Sequence, residues 1–138
     1  MHDNQNELLP LVDEEGNIIG SATRRECHDG SHLLHPVVHL HVFNTKGELY
    51  LQHRPKWKQI QPDRWDTAVG GHVDLGEECE QALWREAREE LGMSEFEPQH
   101  VCTYEFCSAC ECELINVYVC RYDGEVRPSD ELDGGRFW

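Results

Sequence analysis

The chain has 138 residues, with 27 acidic and 12 basic side chains and a formal charge of −15 at pH 7. That length fits one domain, 1–138, with a core of its own. That charge repels nucleic-acid phosphates and anionic membranes, so a polynucleotide or a membrane surface is not the expected partner. A small anionic ligand remains compatible, provided that metal ions or a few Arg and Lys gather where it sits.

The polar, acidic start "MHDNQNELLP" is unlike a secretory signal, and the apolar runs are too short to span a bilayer. Cysteine occurs seven times, an odd number, with no secretory leader; reduced thiols in a cytoplasm are expected. "LPLVDEEGNIIGSATR" holds two apolar runs around "EEGN", which reads as a hairpin. "PVVHLHVFNTKGELYLQHR" reads as a second hairpin. Val38, Leu40 and Val42 alternate with His39, His41 and Phe43, and "NTKG" makes the turn. "PKWKQIQPDR" (55–64) is a loop bracketed by prolines. "WDTAVGGHV" reads as one strand ending in glycines, and "ECEQALWREAREEL" (78–91) as a helix with Gly92 at its C-cap. Leu83, Ala87 and Leu91, at i, i+4 and i+8, should face the core. "HVCTYEF" and "CELINVYVCRYDG" are further strands joined by the tip "CSACE". "RFW" begins another strand, and a C-terminal helix is expected after it to cover the second face of the sheet. Strands on both sides of one central helix define an α/β or α+β fold class.

Glu86, Glu89 and Glu90 stand at i, i+3 and i+4, on one face of the helix. Carboxylates at this spacing repel, and a hard divalent cation such as Mg²⁺ relieves the repulsion while keeping positions open for phosphate oxygens. Because the apolar stripe lies elsewhere, this acidic face is expected to look at a cleft or at solvent.

The wider pattern is G-x5-E-x7-R-E-Ala-x-E-E-x-G-Met, running from Gly71 through Glu77 to "REAREELGM" (85–93). It resembles the Nudix box, the signature of the Nudix hydrolase superfamily, with Ala87 the one soft departure. The resemblance implies an α/β/α sandwich with a mixed sheet and a central catalytic helix. It implies cleavage of a diphosphate linked to another moiety, with Mg²⁺ or Mn²⁺ as cofactor. By position Glu86, Glu89 and Glu90 would hold the metal, Gly70 would add its carbonyl, and Glu89 or Glu90 would activate a water. Arg85 and Glu77 would pair and orient the helix.

A second resemblance covers about Leu11 to Tyr122. "RRECHDGSHLLHPVVHLHVFN" and "LQHRPKWKQIQPDRWDTAVGGHV" are similar to the type I isopentenyl-diphosphate isomerases, a branch of the same superfamily. Their metal set of three histidines and two glutamates falls here on His28, His35, His72, Glu111 and Glu113, a donor set suited to Zn²⁺ or Mn²⁺. Their diphosphate-gripping cations fall on Arg24, Arg54 and Lys58. The departure is at Gly70, where the isomerases carry a catalytic cysteine. Isomerisation needs two opposed acid/base groups; Glu113 matches one, and glycine cannot supply the other. Diphosphate hydrolysis by metal-activated water is therefore the expected activity. An altered isomerase is the alternative, and a ligand-sensing module without turnover a remoter one. The implied partner is a small-molecule nucleoside, sugar or prenyl diphosphate, with self-association into a homodimer left open. In "CSACEC", Cys107-x2-Cys110 has one zinc-ligand spacing but no second pair, so free thiols are expected there.

Overall fold

The structure, a computed structural model, describes residues 6–27, 29–30, 32–53, 65–109, 111–124 and 135–137. Its centre is a four-stranded mixed sheet in the order β6-β3-β8-β7, built from β3 (Leu34–Phe43), β6 (Val69–His72), β7 (Gln99–Cys107) and β8 (Cys112–Arg121). β3 runs parallel to β8 and antiparallel to β6. Long apolar alternation suits β3 for this central place, since both of its edges are paired.

Alternate residues of a strand point to opposite faces. On β3 the even positions Val38, Leu40 and Val42 are fully buried under α2 (Cys79–Leu91). Leu83, Ala87 and Leu91 meet them from the helix, at 0% exposure each, as their spacing requires. Burying each such Leu or Val contributes about 1.5–3 kcal/mol. Register then fixes what shares each face. Gly71 opposes Val38, so it lies on the helix side with Val69. Gly70 and His72 oppose His39 and Val37, on the far side, where His35 pairs with Glu113 of β8.

α2 begins one residue later than the sequence indicates. Glu78 is its N-cap, with φ −84° and ψ 160°, and its N–H donates to Gln81 Oε1 at 2.8 Å. Gly92 ends the helix at φ 68°, in the left-handed region that glycine enters at no steric cost.

Two expectations about strands are corrected. The turn after β3 forms as read: Asn44 Oδ1 accepts the N–H groups of Lys46 and Glu48. Yet the returning strand pairs back only at Phe43–Leu49. β4 (Tyr50–His53) then joins a separate sheet, β5-β4-β9, with β5 (Trp65–Thr67) and β9 (Gly135–Phe137). A full hairpin with β3 has no room, because β8 occupies one edge and β6 takes the other from Val37 to Leu40. "WDTAVGGHV" likewise breaks at Ala68 and gives β5 to one sheet and β6 to the other.

The N-terminal hairpin forms as expected, from β1 (Leu8–Val12) and β2 (Ile18–Thr23). It closes over a small cluster of Leu9, Ala22 and Cys27. Thr23 and Glu26 then cap the single turn α1 (Arg24–Cys27): Thr23 N–H donates to Glu26 Oε1 at 3.0 Å, and Glu26 N–H to Thr23 Oγ1 at 3.2 Å. That cap directs Arg24 inward. Among the described residues, α2 is the only helix longer than one turn, and no helix is long and apolar enough to cross a membrane.

Candidate active site and a histidine cluster behind it

Arg85 organises the helix face. Its guanidinium donates in a bidentate fork to Glu77, Nε to Oε2 at 2.9 Å and Nη2 to Oε1 at 3.0 Å. Nη2 also donates to the His72 carbonyl at 3.0 Å, and Nη1 to Glu86 Oε1 at 2.7 Å. A planar five-donor group can make all four of these bonds at once; lysine, with three donors on one nitrogen, cannot. The Glu77 carboxylate, ahead of the other contacts, holds Arg85 firmly in its charged form. Glu77 also accepts the Asp74 N–H at 3.0 Å, which fixes the loop between β6 and α2.

The three helix carboxylates, expected to look at a cleft or at solvent, are not equivalent. Glu86 and Glu90 are 1% and 8% exposed, whereas the Glu89 side chain is 43% exposed, with Oε2 3.6 Å from Arg85 Nη1. Gly71 makes the burial fit. A Cβ on Gly71 would stand 2.6 Å from Glu86 Oε2, so only glycine lets the strand and the carboxylate approach this closely. Burial, the largest effect, pushes the Glu86 carboxyl up, against the pull of Arg85. Burial and the neighbouring Glu86 charge push Glu90 well up, against a hydrogen bond from the Gly70 backbone.

Glu86 Oε2 and Glu90 Oε2 are buried without a hydrogen-bond partner among the described residues. Two desolvated carboxylate oxygens on successive turns of the helix, beside a strand backbone, form a donor set that fits a hard divalent cation. The residues present therefore suit Mg²⁺ or Mn²⁺.

Across β6 lies a second set. Donor atoms of His35, His72 and Glu113 fall within 4.8 Å of one another, and the two imidazole centroids are 5.4 Å apart. His35 is fully buried, and its Nδ1 lies 3.2 Å from the Leu33 carbonyl. A carbonyl only accepts, so Nδ1 carries the proton and Nε2 of the neutral ring offers its lone pair, the arrangement found behind metal-bound histidines. Glu111 Oε2 is 3.8 Å from that Nε2. Four of the five residues that the isomerase resemblance names thus converge, and the donor chemistry fits Zn²⁺ or Mn²⁺. The fifth, His28, lies outside the described residues, as do Arg54, Lys58 and Cys110.

Arg24 is buried, 3.8 Å from Glu7 Oε2. Glu7 shares a hydrogen bond with Asp74, and that bond, ahead of burial, pushes its carboxyl up to about 7. Asp74 Oδ2 in turn lies 3.4 Å from Arg85 Nε. The N-terminal hairpin is therefore tied to the Arg85 network through a pair of acids. Sequence reading missed both Glu7 and Asp74. Asp74 sits in the loop just before Glu77, the acid expected to pair with Arg85, and that nearness was the one readable signal; Glu7 gives none.

The tip of the β7–β8 hairpin corrects another expectation. Cys107 and Cys112 are joined as a disulfide, because the antiparallel register sets them directly opposite each other. Cys27, Cys79, Cys102 and Cys120 are free thiols.

Residues 33–138 match the NUDIX domain family, and the chain belongs to it. It is 39% identical over 87 residues to an uncharacterized Nudix hydrolase of Nostoc sp., covering 63% of this chain and 52% of that protein, about half its length. It is 32% identical over 130 residues to an isopentenyl-diphosphate Delta-isomerase of Serratia proteamaculans, covering 91% of this chain and 72% of that protein. Among solved structures, DR0079 of Deinococcus radiodurans superposes with a TM-score of 0.79 at 28% identity, covering 95% of this chain and 82% of that one. The expected α+β Nudix fold, and the resemblance to Nudix hydrolases and to their isomerase-like branch, are borne out.

Proposed function

We propose that the chain is a Nudix hydrolase that uses Mg²⁺ or Mn²⁺ to cleave an organic diphosphate by attack of water on phosphorus. One observation carries the reading: Glu86 and Glu90 bury carboxylate oxygens that lack hydrogen-bond partners among the described residues, against a Gly-Gly strand. Glu86, Glu90 and the Gly70 carbonyl hold the cation in this reading. When bound, the ion neutralises phosphate charge and makes a water more acidic. Arg85 holds helix, loop and strand in register, and Glu77 holds Arg85. Glu89, the exposed carboxylate of the three, takes the proton of the attacking water. Little covalent help is needed, because phosphoryl transfer depends chiefly on positioning and charge stabilisation. A panel of nucleoside, sugar and prenyl diphosphates, scored for phosphate release with Mg²⁺ or Mn²⁺, tests this. Release from at least one substrate, abolished by Glu90→Gln, is expected. Binding without release across the panel would instead favour a sensing module.

The His35, His72 and Glu113 cluster, with the similarity to an isomerase over most of the chain, favours a second reading. In it the chain isomerises an allylic diphosphate with altered acid/base groups. Gly70 has no side chain to move a proton from the face opposite Glu113, so this reading ranks second. Conversion of isopentenyl to dimethylallyl diphosphate by the purified chain would reverse the order.

A further inference from the structure

The Cys107–Cys112 disulfide sits one residue along β8 from Glu113 of the histidine cluster, and neither proposed reaction uses it. One of its two strands, β8, continues into the cluster: Cys112 is flanked by Glu111 and Glu113, and Glu113 pairs across to both Phe106 of β7 and His35 of β3. Glu111 sits inside the loop that the bond closes. The loop is tied internally, Ser108 N–H donating to the Glu111 carbonyl at 2.8 Å and Glu111 N–H to Ser108 Oγ at 3.2 Å. It is tied externally by His32, whose Nε2 donates to the Ser108 carbonyl at 2.9 Å. The bond thus closes the end of the ladder that carries both carboxylates toward His35.

We propose that Cys107 and Cys112 form a thiol–disulfide switch that sets the affinity of the His35, His72, Glu111 and Glu113 cluster for a divalent metal ion. Closed, the bond holds the tip, so the two carboxylates reach the cluster without further ordering. Open, the last pair of the ladder frays, and fixing Glu111 and Glu113 on a metal costs conformational freedom. Cys107 is exposed, so the bond is open to thiol exchange, as a regulatory disulfide must be.

The step balances with a low-molecular-weight thiol, RSH, as reductant. Its thiolate attacks Cys107 Sγ, which lies on an exposed residue, whereas Cys112 is 7% exposed. The S–S bond breaks, a mixed disulfide forms at Cys107, and the Cys112 sulfur leaves as a thiolate and takes up a proton. A second RSH attacks the outer sulfur of the mixed disulfide, giving RSSR and the Cys107 thiol. A low-molecular-weight disulfide drives the reverse.

This inference rests on the cluster binding metal, and the test separates the two. The full chain, oxidised or reduced and then desalted, is titrated with Mn²⁺ alone, and free Mn²⁺ is counted by electron paramagnetic resonance. Mn²⁺ prefers O and N donors, so newly exposed thiols do not compete for it. The portion of binding lost in His35→Ala, with His72→Gln as a second reference, is assigned to the cluster. Alkylation of the folded protein, read by mass spectrometry, reports which cysteines are free. We expect cluster affinity to fall about tenfold on reduction, equivalent to ~1.4 kcal/mol. The Cys107→Ser/Cys112→Ser chain should show the weak value in both conditions. Equal affinity in the two states, or alkylation of Cys107 and Cys112 after oxidation, overturns the switch and leaves the metal reading standing. Absence of any His35-dependent binding in either state overturns both.

Discussion

β6 separates two sites that are held together in different ways. On the helix side, one arginine makes the connections: Arg85 joins Glu77, Glu86 and the His72 carbonyl through four hydrogen bonds. On the far side, His35, His72 and Glu113 meet because three strands are in register. The first site is built from one contiguous stretch, 70–90, and should lose function sharply when one contact goes. The second should respond to anything that shifts strand pairing, however far away in sequence.

The sharpest break is Glu90→Gln, which keeps shape and removes charge. We expect kcat for diphosphate hydrolysis to fall about 10²–10³-fold, the usual loss when a group stabilising the transition state is removed, with little change in fold. Wild-type turnover in this variant would end the hydrolase mechanism described above. Next comes Gly71→Ala against Gly70→Ala. The first drives a methyl into Glu86 and should lose about 1–3 kcal/mol of stability, as overpacking does, along with activity. The second puts its methyl on the far face, so hydrolysis should suffer less than cluster metal binding; equal effects on both would deny that β6 divides the sites. Arg85→Lys should lower stability by about 1–2 kcal/mol, because the fork to Glu77 and the bond to the His72 carbonyl cannot both be remade. Thermal unfolding measures each change.

The smallest expected effect is on pH dependence. Glu7, Glu86 and Glu90 all carry raised carboxyl values, so the folded state holds their protons more tightly than the unfolded chain does. Their contribution to stability is complete below the unfolded value of 4.5 and is lost as pH rises through the folded value, about 7 for Glu7. Without added metal, Tm should therefore decline from pH 4.5 toward 7. Mg²⁺ should raise Tm more at pH 7.5 than at pH 5.5, since only charged carboxylates hold it. A Tm gain independent of pH would place the cation elsewhere.

What the sequence made legible follows the same division. α2, its Gly92 cap and its buried stripe were readable because helix signals are local. The pairing of Arg85 with Glu77 came from resemblance alone. The burial of Glu86 and Glu90 was not readable, because it depends on how closely a strand without side chains approaches the helix. The second hairpin misled because its turn is sound; local chemistry cannot reveal that both edges of β3 are taken. Glu7 was silent, since nothing about a glutamate before a strand announces an aspartate 67 positions on.

The strand "VGGH" has one more consequence. Its four residues serve two masters by parity, odd positions to the helix and even ones to the histidines. A deletion or insertion of one residue there would exchange the two allegiances at a stroke, offering the imidazole to Arg85 and a bare backbone to Glu113. Substitution can tune either chemistry by itself, but this segment cannot change length without scrambling both.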